Sequence, residues 1–421
     1  MKKHIFVTAL ASAGIISANG AELDPSTDPP ATSALVTANA IEDDAFNAGD
    51  YLTGDWGGAR TNLIDSGVTP FLYYDSIYGA LVSGGIQSEE NFTGQAYGGM
   101  IFDMDKLAGW DGVTAKLSVI NRHGSSISPS VGGIYDPMTI NGGQTTWLYD
   151  AWVEKNWNDE FALKAGRFSS DQDFANNDLY RYSLSTSING PIRALLQDGA
   201  SFTFPFATWG ARAKWSPSEE HQFQLGVFHL HDRLYDASAH GMDFDINGDD
   251  GVAIMLQYDW NSELFGKKTH AYVGVNQAVG FDLARQDMTG TEDSLTRFYG
   301  HIDMNVTDQL QLFTFFTYSP DKEVAFVPIQ ASFGANYTGL IPCRPDDRTV
   351  FFVTYGDISS EAPVVKGLGR RDYEMVYELG HRFQLTPATY IQPSIQYIQN
   401  PGGTGAISDA VVLGAWAGIT F

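Results

Sequence analysis

Several groups of residues in this chain have the types and spacing of chemical sites. Asp243-Phe-Asp245-Ile-Asn247-Gly248-Asp249 sets oxygen donors at positions 1, 3, 5 and 7 with a glycine at 6, the first half of a Ca²⁺-binding EF-hand loop. The twelfth position is Ile254, where a bidentate Glu is required, and the residues around it alternate like a strand. The segment therefore reads as an acidic loop tip, with weak Ca²⁺ binding as the alternative. Glu374 and Glu378 share one strand face at a separation of about 13 Å. Glycoside hydrolysis needs two carboxyls roughly 5 to 9.5 Å apart, so this pair lines a wall better than it hydrolyses a sugar. Among the nine histidines, His229 and His231 lie two apart with His240 beyond, and no HExxH is present. The chain also lacks GxSxG and Walker sequences, and its single cysteine, Cys343, forms no CxxC. These residues indicate neither an enzyme nor a resident cofactor.

The elements that carry these residues follow from composition. The 25 Lys+Arg against 50 Asp+Glu give a formal charge of −25, which excludes a nucleic-acid binder held by phosphate contacts. Hydrophobic residues make up 43% of the chain, yet the mean hydropathy is −0.17, so apolar residues are dispersed and not blocked. High Gly and aromatic usage (44 Gly, 26 Phe, 20 Tyr, 9 Trp) favours strands and turns.

Residues 1–20 combine Lys2 and Lys3, a short apolar run and small residues at a plausible cut after Gly20, which predicts a secretory signal peptide. Residues 21–50 are rich in Asp, Pro, Thr and Ala, which predicts a flexible acidic leader. Beyond it no apolar run reaches about 18 residues, so any membrane crossing must be made by strands closed into a barrel.

Alternation is the dominant signal of residues 51–421. From Asp372 to Leu385, one parity carries Tyr373, Met375, Tyr377 and Leu379, and the other carries Glu374, Glu378 and Arg382. About sixteen such segments follow Pro70; the 352 residues to Phe421 leave 22 for each strand and its connection. Connections alternate between short turns (158–160, 216–220, 307–309, 386–388) and long loops (123–144, 169–197, 231–250, 357–371). That asymmetry predicts an all-β, transmembrane antiparallel barrel of about 16 strands, and the aromatic Phe421 suits a closing strand. Aromatics flanking the turns, Trp157, Phe161, Trp215, Phe223, Phe383, Tyr390 and Phe313, are expected to form an interfacial girdle. A soluble sandwich would show a domain boundary, and a plugged transporter would need about 100 residues before the first strand; neither is apparent.

Parity also predicts the lumen. Lys116, Ser118 and Arg122 point inward from one strand, Asp150, Trp152 and Glu154 from the next with Trp147 and Tyr149 toward lipid, and Glu374, Glu378, Arg382 and Gln396 from the penultimate hairpin. Each is read either as a brace of the wall or as a contact for a solute. A sugar needs forked donors and acceptors with an aromatic face, so Trp152 is the candidate platform and Arg122 the candidate hydroxyl donor.

These segments resemble the carbohydrate-selective porins of the OprB family. The resemblance begins at Leu52-Thr-Gly-Asp-Trp-Gly-Gly-Ala-Arg60-Thr, with a short helix ended by Gly67, and continues through Asp103-Met-Asp-Lys-Leu107, Gly166-Arg-Phe168, Asp173-Phe174, Asp198-Gly199, Gly339 to Asp347 and Tyr377-Glu378. Its most specific part is Ile391-Gln-Pro-Ser-Ile-Gln-Tyr397-Ile, Asn400-Pro-Gly-Gly403 and Asp409 to Gly414. The resemblance implies a sixteen-stranded barrel in the outer membrane of a Gram-negative bacterium that passes sugars, glucose-type monosaccharides among them, by facilitated diffusion. Its partners would be transported sugars and outer-membrane lipid, with monomer and trimer both open. A general diffusion porin, or a secreted β-rich polysaccharide-binding protein or glycosidase, is the alternative.

Overall fold

The computed structural model describes residues 46–158, 160–189, 194, 201–362 and 371–421. The proposed signal peptide and residues 21–45 of the leader lie outside them, whereas residues 46–50 lead into a short 3₁₀ turn, Ala48–Asp50.

Period-2 sequence produces sixteen antiparallel strands in one closed barrel. They are β1 (Val68–Gly85), β2 (Glu90–Asp103), β3 (Val113–Gly124), β4 (Thr146–Trp157), β5 (Phe161–Phe168), β6 (Thr208–Ser218), β7 (His221–Leu230) and β8 (Gly251–Leu264), then β9 (Lys267–Ala284), β10 (Thr291–Asn305), β11 (Leu310–Tyr318), β12 (Ile329–Thr338), β13 (Arg348–Asp357), β14 (Tyr373–Thr386), β15 (Thr389–Gln399) and β16 (Ser408–Thr420). Each strand pairs with its sequence neighbours, and β1 pairs with β16 from Tyr73↔Thr420 through Leu81↔Val412. Closure satisfies the edge groups that a bilayer would leave unpaired.

The two faces differ as parity predicts. Leu117, Val153, Leu225, Leu256, Leu379 and Ile395 are exposed on the outside, while Lys116, Glu154, Gln257 and Glu378 are buried inside. A continuous apolar exterior around a polar interior is the pattern of a transmembrane barrel. The girdle holds for Trp157, Phe161, Trp215 and Phe223, which are exposed at short turns. It fails for Phe313 and Tyr390, which are buried inside because each ring lies over a glycine of the neighbouring strand, Gly334 and Gly418 respectively.

The opening motif closes the short-turn end. Asp55 accepts from the Thr61 amide and hydroxyl, both at 2.8 Å, starting helix α1 (Ala59–Asp65). Gly67 follows with φ +96°, where a Cβ would lie 2.9 Å from the Asp103 carbonyl. Arg60 lies over the rings of Tyr51 (4.0 Å) and Trp56 (4.5 Å) and donates to the Phe421 carbonyl at 2.6 Å. The signature thereby ties the first segment to the last strand.

Two long loops turn inward. The β3–β4 loop leaves at Gly124, φ +88°, where any Cβ would meet the Phe92 carbonyl. It then forms a short helix, α2 (Ser128–Val131), and buries Ile134 through Asn141 inside the barrel. The β5–β6 loop buries nearly all its described residues, including Phe174, Tyr180, Tyr182 and Leu184. The core of this molecule is therefore loop packed against inner wall.

Candidate functional site

All ten inward residues expected from parity lie buried in the barrel interior. The structure divides them between two walls.

On β3 to β6, charges pair with one another. Lys116 Nζ is 3.2 Å from Asp150 Oδ2, which also accepts from Ser118 Oγ (2.7 Å) and Tyr97 OH (2.9 Å). Asp150 Oδ1 accepts from Gln172 Nε2 (2.7 Å) and Trp152 Nε1 (3.2 Å). Arg212 bridges Glu154 (2.7 Å) and Asp173 (2.8 Å), and Lys164 meets Asp173 at 3.0 Å. Burial alone would raise the Asp173 carboxyl, but Arg212 and Lys164 hold it below the usual carboxylate range. Three cations thus face three carboxylates, so the charge of this cluster is internally balanced.

Trp152 belongs to this brace. Lys164 Nζ lies 4.7 Å from the centroid of its ring, so a cation occupies the indole face expected to carry a sugar. Arg122 is also engaged: Nη1 donates to the carbonyls of Asn141 (2.7 Å) and Gly142 (3.4 Å), Nε donates to Gln95 (3.2 Å), and the guanidinium lies over Phe204. It holds the β3–β4 loop. The placement of Trp147 and Tyr149 toward lipid is corrected, because both are buried inside. The β3–β4 register shifts between Leu117↔Ala151 and Val119↔Leu148, and this bulge turns Tyr149 and Asp150 both inward.

On β14 and β15, wall carboxylates hold loop backbone. Glu374 accepts from the amides of Ile134 (2.8 Å), Tyr135 (3.2 Å) and Gly402 (2.7 Å). Glu378 accepts from the Leu184 amide (2.8 Å) and from the hydroxyls of Ser183 (2.5 Å) and Ser394 (2.9 Å). Gln396 donates to the Pro137 carbonyl at 2.9 Å, and Gln392 to that of Tyr182 at 2.5 Å.

Arg382 stands apart. Its Nε donates to Gln392 at 2.8 Å, but among the described residues Nη1 and Nη2 have no acceptor. The guanidinium lies 3.9 Å from the ring centroid of Tyr390, 4.5 Å from that of Tyr182 and 5.3 Å from that of Trp416. Asp75 on β1 accepts from Tyr390 OH (2.8 Å) and Trp416 Nε1 (3.2 Å), fixing both rings. Arg348 adds a second guanidinium 4.5 Å from the Tyr182 centroid. The result is a buried guanidinium enclosed by aromatic faces, with two terminal nitrogens that have no acceptor among the described residues.

The half EF-hand is organised around a cation of its own. Arg233 donates to Asp243 Oδ2 (2.9 Å), Asp250 Oδ1 (2.9 Å) and Oδ2 (2.8 Å), and the Asp245 carbonyl (3.1 Å). Asn247 donates its amide to Asp250 Oδ2, and Asp249 is exposed. A guanidinium thus sits where the Ca²⁺ reading put the ion. His229 and His231 stack at 4.6 Å, with His229 against Asp250.

Sequence reasoning singled out Arg382 but missed its surroundings. Tyr390 was assigned to the girdle, Tyr182 lies in a loop without periodicity, and Trp416 had only its inward parity as a signal. His270, His301 and Asp303, which converge inside the barrel, were also missed.

Comparison with known proteins adds independent findings. The family profile described as carbohydrate-selective porin, OprB family, matches residues 93–421. The chain is 24% identical over 410 residues to QuiX of Acinetobacter baylyi, a protein classed with the porins, covering 86% of this chain and 91% of that one. It is 23% identical over 411 residues to Porin B of Pseudomonas aeruginosa, covering 86% and 90%. The fold is similar to the high-pH structure of OprB from Pseudomonas putida, with a TM-score of 0.83, 22% identity, and coverage of 90% of this chain and 100% of that one.

Proposed function

We propose, from the premise that the chain belongs to the carbohydrate-selective porin, OprB family, and is an outer-membrane carbohydrate porin, that its sugar contact is built around Arg382 and that its solutes are glucose-type monosaccharides. The observation that carries this reading is the pair of open Arg382 nitrogens beside the rings of Tyr182, Tyr390 and Trp416. Adjacent hydroxyls of a pyranose are acceptors that a guanidinium fork matches, and the ring's apolar face suits an aromatic plane. Among the described residues Arg382 is the buried arginine with both terminal nitrogens unpartnered, and a single fork keeps binding weak enough for release, as conduction requires. Trp152 and Arg122 serve in this proposal as braces that set the width of the passage.

The test is block of ion current by glucose in planar bilayers. The native chain is expected to show saturable block. Arg382→Ala should weaken it about tenfold, corresponding to roughly 1.4 kcal/mol, while Arg382→Lys, a point charge without the fork, should restore only part of it. Flux that depends on solute size alone, with no block by any sugar, would identify a general diffusion porin and end the proposal.

The reading includes two further assignments. Residues 1–20 act as the signal peptide and residues 21–50 as the leader before the barrel. Amino-terminal sequencing of protein from the outer membrane tests the cut after Gly20; a start at Met1 contradicts it.

A further inference from the structure

We propose that His270, His301 and Asp303 form a site for a divalent transition-metal ion of the zinc class, which pins the β5–β6 loop to the β9–β10 wall. His270 stands directly opposite Asp303 in the register, and His301 lies two residues before Asp303 on the same inner face. One ligand atom from each residue lies within 4.8 Å of the other two. His270 Nδ1 is 3.0 Å and His301 Nε2 is 2.8 Å from the same oxygen, Asp303 Oδ2. Tetrahedral zinc, with ligands at about 2.0 to 2.2 Å, separates its donors by roughly 3.3 Å. Small side-chain rotations therefore suffice to admit the ion.

The groups behind the ligands support the assignment. A ligating imidazole is normally oriented by a partner on its other nitrogen. His270 Nε2 faces Asp259 Oδ1 at 3.4 Å, and His301 Nδ1 faces the Tyr180 hydroxyl at 2.6 Å. That hydroxyl also meets Tyr272 OH at 2.9 Å. Both rings thus turn one nitrogen toward the shared carboxylate and have the other held. Two imidazoles and one carboxylate favour zinc, cobalt or nickel over calcium, which prefers an all-oxygen shell.

The site joins two parts of the fold. Asn177 and Tyr180 come from the β5–β6 loop, and Asn177 Nδ2 lies 2.9 Å from Asp303 Oδ2 and 3.4 Å from His270 Nδ1. The ligands lie near the short-turn end, since β9 begins at Lys267 and β10 ends at Asn305. A bound ion would fix the deepest part of the loop against the wall without using Arg382.

The experiment uses the full mature chain, purified in detergent and freed of metal with a chelator. Titration with Co²⁺ should give the visible absorption of a tetrahedral N/O site at about one ion per chain, and Zn²⁺ should displace it. His270→Gln, His301→Gln and Asp303→Asn should each weaken binding about tenfold or more, whereas His229→Gln should leave it unchanged. Protection is read on the native chain, which removes dependence on how the variants fold: Zn²⁺ should shield the partly exposed His270, but not His240, from an imidazole-modifying reagent located by peptide mapping. No saturable binding, binding lost with His229→Gln but kept without His301, or equal modification with and without Zn²⁺ would each overturn the proposal.

Discussion

The β3–β6 wall and the β14–β16 wall both bury charge, but they neutralise it differently. On the first, Lys116, Lys164 and Arg212 face Asp150, Glu154 and Asp173, and each of these six has an opposite charge beside it. On the second, Glu374 and Glu378 are satisfied by backbone amides and hydroxyls of the loops, which leaves Arg382 with open donors among aromatic rings. An ion pair commits each carboxylate to a cation, although Arg212 Nη1 keeps no partner among the described residues. A carboxylate bound to neutral donors leaves its neighbouring cation available. The difference separates a brace from a contact, although both walls hold the same residue types.

The largest effect expected from this contrast is on the brace. Arg212→Ala strands Glu154 as a buried carboxylate and leaves Asp173 with Lys164 alone, and should destabilise the barrel by about 3 to 5 kcal/mol, seen as loss of the heat-modifiable folded form. A yield like that of the native chain would show that the wall does not depend on its pairs. Glu378→Gln, on the other wall, replaces an acceptor with a donor facing Ser183, Leu184 and Ser394. A loss of about 1 to 3 kcal/mol is expected, together with larger single-channel conductance as the loop loosens; unchanged conductance would argue that Glu378 does not hold the loop.

Smaller effects sharpen the distinction. Tyr182→Leu removes the ring beneath Arg382 and Arg348 while keeping an apolar side chain. It should weaken glucose block about fivefold, roughly 1 kcal/mol of lost stacking, measured as the sugar concentration for half-maximal block. Trp152→Phe keeps a ring under Lys164 but loses the bond to Asp150. Stability should fall by about 1 kcal/mol while glucose block stays as in the native chain. A change in block with no change in stability would return Trp152 to the role of sugar platform.

Most of the wall was legible because side-chain direction in a strand has a period of 2, and one correct assignment orients the rest. Lys116, Glu374, Glu378, Arg382 and Gln396 all lie inside for that reason. The rule broke at β4, where one bulge reversed Trp147 and Tyr149; Phe313 and Tyr390 obey it, Tyr390 sharing the inward parity of Gln392 and Gln396, and only their closeness to a turn suggested the girdle. The loops were legible only as long polar connections. Their placement depends on pairings such as Ile134 with Glu374, 240 residues apart, that no local pattern encodes. The His270, His301 and Asp303 group escaped notice similarly, because it assembles across two strands and is invisible along either one.

The inward loop has a mechanical meaning. Residues 172–187 fasten to Asp150 on β4, Gln257 on β8, Asp303 on β10, Gln330 on β12 and Gln392 on β15. A thin cylinder resists stretching around its rim but flattens easily under uneven side pressure. Chords strung across the bore remove that soft mode, since flattening would have to lengthen some of them. Lateral stress from the lipid is thereby borne by the whole circumference, and the opening keeps its shape while the surrounding membrane fluctuates.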